Sequence, residues 1–159
     1  MITTYRRLIE ICEMPKPERT KLVLQHAPDI TRIIAEQAHG AQLFANRWLT
    51  EDPKSVAYPA SLGLAENDGV MRATGAYYEP LLNIDQSLAA VDKMIERGWD
   101  FQPKLCGSDF SAVEAYHHEK KLFVRSLWWA ETPWRHAVAM SLAVALACLL
   151  EKEAVRPEP

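Results

Sequence analysis

Along this chain the apolar positions change period several times, and each change marks an element. Ile2, Tyr5, Leu8, Ile9 and Cys12 recur at helical spacing and the PKP run closes them, which predicts a short helix over residues 2–13. Glu18 to His26 carries a weaker helical pattern. In DITRIIAEQAHG, Ile30, Ile33, Ile34 and Ala38 share one face and predict a helix over 30–39, with Asp29 placed to cap its first amides and Gly40 to end it. NIDQSLAAVDKMIERG predicts a longer helix: Asn83 with Gln86 makes a capping-box-like pair, Ile84, Leu88, Val91 and Ile95 form an apolar stripe, and Gly98 is the stop.

Between Ala41 and Pro80 the periodicity fades under repeated Pro and Gly, leaving QLFANRWL and VMRATGAYY as strand candidates inside an otherwise irregular stretch. After Gly98 the period becomes two. WDFQPKL, DFSAVEAYH and KLFVRSLWW read as three strands separated by CGS and a polar HEK turn, and Pro103 places the first at an edge or a bulge. Leu122, Val124 and Ser126 alternate with Phe123, Arg125 and Leu127, and apolar groups on both faces predict a sheet covered on both sides. Thr132 and Pro133 then open a helix through HAVAMSLAVALACLLEKEA, whose apolar middle predicts burial against more than one partner. This order predicts an α+β fold, an α/β/α sandwich in which helices flank a small antiparallel meander.

Composition narrows the classes. A chain of 159 residues predicts one domain, and 48% hydrophobic with 25% charged residues is ordinary for a globular protein. A net charge of -3 gives no general pull towards nucleic acid, so no nucleic-acid partner is expected. The opening MITTYRRLIEICEMPKPER lacks the apolar centre of a secretory signal, and Ala137 to Leu150 falls short of the roughly 18 apolar residues that span a bilayer. The expectation is a cytoplasmic protein without a membrane partner. Cys12, Cys106 and Cys148 are odd in number and widely spaced, which predicts buried free thiols and no metal framework.

Four phrases together resemble a known family: the capped helix NIDQSLAAVDKMIERG, the strand pair after it, the strand ending WWAETP, and the small-residue helix RHAVAMSLAVALACL. They look like the phage ABA-sandwich domain family, which includes the NinX-like proteins of temperate phages. There a short helix similar to ITRIIAEQAHG precedes an irregular, aromatic-containing segment and then this core, so the resemblance covers residues 29 to 151 and implies an added N-terminal helical extension over 1–28, a sandwich domain over 29–152 and a C-terminal tail over 153–159. It implies a small phage or prophage accessory protein working in the bacterial host cytoplasm. It brings no known activity and no catalytic residues.

Chemistry-bearing residues concentrate in LWWAETPWRH. Trp128 and Trp129 end a strand and face opposite sides, while Trp134 and Arg135 fall in a first helical turn, where free amides and a guanidinium can hold an anion. The plainer alternative is a strand-to-helix corner whose rings seal the core. Tyr77 and Tyr78 in GAYYEP offer apolar area and hydroxyls to a partner, or pack under their own loop. His117, His118 and Glu119 suggest a metal, yet strand neighbours point apart, so a solvated turn is expected. Asp100, Asp109, Glu114 and Glu131 show no pairing on one face of one element, and no nucleophile elbow or phosphate loop occurs. A non-enzymatic protein without cofactor is therefore expected, one that binds a host or phage protein, with inhibition of a host defence system as a candidate role. The alternative is a binder of a small anionic, nucleotide-like ligand held by a tryptophan stack and Arg135. The all-round apolar final helix also leaves a homo-oligomer open.

Overall fold

The computed structural model describes residues 1–38, 42–44, 47–49, 80–104, 109–129 and 135–154. Three helices come first, α1 (Tyr5–Cys12), α2 (Lys16–Gln25) and α3 (Ala27–Gln37), followed by a hairpin of β1 (Gln42–Phe44) and β2 (Arg47–Leu49). After α4 (Ile84–Glu96) come β3 (Trp99–Lys104), β4 (Phe110–His117), β5 (Leu122–Trp129) and α5 (Arg135–Ala154). The protein is thus mixed α+β, with an antiparallel meander in the order β3-β4-β5. Within QLFANRWL, β1 and β2 pair antiparallel, Leu43 opposite Trp48. VMRATGAYY lies outside the described residues.

Helix α5 is the hub. Ala, Leu and Met favour helix, and every residue from Ala137 to Leu149 is buried. One side rests on β4 and β5 and the others meet α1, α3 and α4, which is why no polar stripe is needed. The sheet offers α5 the face of Trp99, Val113, Ala115, Val124 and Trp128, and the Ser126 hydroxyl on that face donates to the Ala139 carbonyl. Leu8, Ile11 and Val23 from the first two helices join the same core cluster. Each such fully buried aliphatic side chain contributes about 1.5–3 kcal/mol.

Cover on both faces of the sheet, expected from the pattern, is complete on one face among the described residues and partial on the other, where Ala112 is buried and cations of α2 lie over Trp129. The other displays Phe110, Tyr116 and Phe123, the last 50% exposed, because α3 and α4 stack against α5. Pro103 does sit on an edge strand, where its missing N–H is tolerated.

Two local expectations are corrected. Asp29 does not cap α3, which begins at Ala27 directly after His26; its carboxylate instead takes the Ile2 N–H at 3.0 Å and the Arg32 guanidinium at 2.6 Å. In α4 the Asn83 side chain accepts from the Gln86 N–H as expected, but the buried face is Gln86, Ser87, Ala90, Val91 and Met94. Ile84, Leu88 and Ile95 of the anticipated inward stripe are 37%, 43% and 48% exposed. The neighbour decides this: small residues on both α4 and the alanine-rich α5 let the helices approach closely, with Met94 Sδ 3.6 Å from Cys148 Sγ.

The end of α4 is a knot. Gly98 has φ 100°, and a Cβ there would lie 2.8 Å from His117 Nε2. His117, expected in a solvated turn, is buried: its Nε2 donates to the Arg97 carbonyl at 2.9 Å and its Nδ1 accepts from the Lys120 N–H at 3.1 Å. Glu151 on α5 accepts from Trp99 Nε1 at 2.7 Å and from Arg97 at 2.6 Å, while Arg97 also donates to the Gln37 carbonyl. Burial raises the Glu151 pKa, but the bonds from Trp99 and Arg97 and the Arg97 charge outweigh it and hold the carboxyl below its usual range. No helix among the described residues is long and apolar enough to cross a membrane.

Candidate functional site

The tryptophan corner divides. Trp128 is 1% exposed and serves the core, whereas Trp129 lies on the opposite face, its ring centroid 5.2 Å from that of Trp128. Two cations from α2 cover Trp129, the Arg19 guanidinium 4.7 Å and Lys16 Nζ 5.6 Å from the ring centroid. Neither was legible as part of a site, since the helix that carries them has only weak periodicity and meets Trp129 from far along the chain. Arg135 opens α5, half-buried; Trp134, Tyr77 and Tyr78 lie outside the described residues.

Beside Arg135, His136 Nδ1 stands 2.6 Å from Ser111 Oγ. Burial first, and then the Arg135 charge, hold the imidazole below its usual range. A serine beside a neutral imidazole has the makings of a nucleophile and base, but Ser111 is fully buried, so the pair fastens the first turn of α5 to the central strand.

A groove of about 390 Å³ runs between α1, the start of α2 and β5, with Tyr5, Cys12, Arg19 and Arg125 among its lining. It joins two guanidinium groups to an aromatic ring, with the Glu13 carboxylate as the one acidic group in its lining, a chemistry that favours small anions by a single net positive charge. The Cys12 thiol there is pushed up to about 12, chiefly by burial and against the pull of Arg19, so it is no nucleophile at neutral pH.

The outer sheet face carries Phe110, Tyr116 and Phe123 among exposed charges. His118 Nε2 meets Asp100 at 2.6 Å, and Arg125 lies 3.9 Å from Glu114. Strand pairing puts Asp100 and Glu114 on one face, which spacing within a single element does not reveal. Among the described residues, no three His, Cys, Asp or Glu side chains form a group that could hold a metal ion.

The remaining surface is the outward side of α4, where Ile84, Leu88 and Ile95 continue from exposed Leu82. Asp85 and Glu96 rim this stripe, and Lys93 lies 3.9 Å from Glu96. An apolar stripe with a charged rim, on a helix anchored by its other face, is the form in which one helix enters a partner's groove. Its periodicity was legible in the sequence; its direction was not. No protein-family model matches the chain, and comparisons with curated proteins and with solved structures find no match.

Proposed function

We propose that this is a non-enzymatic accessory protein of phage or prophage origin that acts in the bacterial host cytoplasm by binding another protein, host or phage, with inhibition of host defence as the first role to test. The observation that carries the reading is the exposed stripe of Ile84, Leu88 and Ile95 on α4. A helix that points Ile84, Leu88 and Ile95 at solvent leaves large aliphatic side chains exposed along one side, the kind of surface that marks an interaction site. The test is capture from bacterial lysate with the wild type beside Leu88→Glu/Ile95→Glu, both checked by circular dichroism. A partner held by the wild type and lost by the folded variant supports the reading. Identical recoveries from both overturn it. Light scattering on the same pair distinguishes a second copy of this chain from a different partner.

A second reading, a binder of small nucleotide-like anions, draws on the groove of Tyr5, Arg19 and Arg125 beside Trp129. It predicts a thermal shift with nucleotides or cyclic dinucleotides that Arg19→Met abolishes. A flat response across the panel removes it.

A further inference from the structure

Beneath the tryptophan corner, where α2 and α3 meet the start of α5, lies a separate cavity of about 140 Å³. Val23, Leu24, Ala27, Leu81, Leu82, Trp128 and Val138 line it, and the single hydroxyl-bearing residue in that lining is Thr20. The Thr20 hydroxyl donates to the Lys16 carbonyl of its own helix at 2.9 Å, which leaves its methyl group as the free part. The wall is therefore apolar. A water molecule needs about two to four polar partners to reside in such a space, whereas dry apolar cavities of about 150 Å³ take up benzene or xenon. Leu24 and Leu82, at the rim, are both exposed.

We infer that this cavity is a binding site for an uncharged apolar molecule about the size of one aromatic ring. Recognition is by shape and desolvation, with Trp128 supplying an aromatic wall. Charged or strongly polar analogues are excluded because no lining group answers them. The site shares Leu82 with the start of the α4 stripe but lies apart from Ile84, Leu88 and Ile95 and from the cation-covered face of Trp129, and its test does not require either of those to bind a partner.

The test is thermal unfolding and tryptophan emission of the full chain with benzene and toluene, and with benzoate as the charged control. At ten times its dissociation constant benzene is expected to raise Tm by roughly 3–5 °C and to change the emission, while benzoate does neither. Ala27→Leu, which fills the space from a half-buried position, is expected to abolish the benzene response; Val138→Ile is the second filling variant should Ala27→Leu fail to fold. Absence of any response in the wild type overturns the proposal. So does an equal response in a folded, filled variant.

Discussion

Trp128 and Trp129 are adjacent in sequence and unequal in what they hold. Trp128→Ala empties a buried site and is expected to cost about 3–5 kcal/mol, whereas Trp129→Ala loses a half-buried ring and its cation contacts, roughly 1–2 kcal/mol; urea unfolding of both variants checks the order. The sequence makes them equal candidates because alternation says only that they part, not which way. At the other end of α5, Glu151 has a depressed pKa, so its stabilisation is complete above the ordinary glutamate range and is lost as pH falls through the depressed value. Glu151→Gln is expected to cost about 2 kcal/mol at neutral pH, with the gap to wild type closing as the pH is lowered into that acid range. A gap that persists unchanged in acid would show that the charge of Glu151 is not what matters.

At the scale of elements, legibility followed the distance over which each choice is made. The three meander strands end within a residue of the pattern's limits, because alternation and polar turns are local signals. The orientation of α4 is set by what α5 presents to it, and no window along the chain contains both helices. The cap at Asp29 failed for a similar reason: α2 runs almost directly into α3, and Asp29 is engaged by Ile2 and Arg32. The reversed α4 has a sharp mutational signature. Ala90→Leu on the fully buried side is expected to cost about 1–3 kcal/mol by overpacking, and Leu88→Ala on the exposed side less than about 1 kcal/mol. An inward stripe would give the opposite order.

Over the whole molecule, α5 makes the core one body, so its centre opens only when everything opens. The Cys148 thiol, fully buried and pushed up to about 12 chiefly by that burial, should resist a thiol reagent in a Cys12→Ser/Cys106→Ser background until global unfolding. Labelling rates that track the unfolding equilibrium across urea concentrations would bear this out; labelling at a urea-independent rate would instead reveal a local opening of the α4–α5 seam. The candidate surfaces are less legible than the core because they depend on which residues the core leaves over. The Trp129 cations and the outward stripe of α4 are of that kind. The place of α5 in chain order also has a bearing on synthesis. It follows every other described element, so α1 to α4 and the meander are synthesised before the helix they pack on. At about 5–20 residues per second, its 20 residues add about 1–4 seconds during which the apolar face of the sheet has no helix to pack on. The core closes only once α5 has been made, and the chain that still lacks it is the species a chaperone would meet.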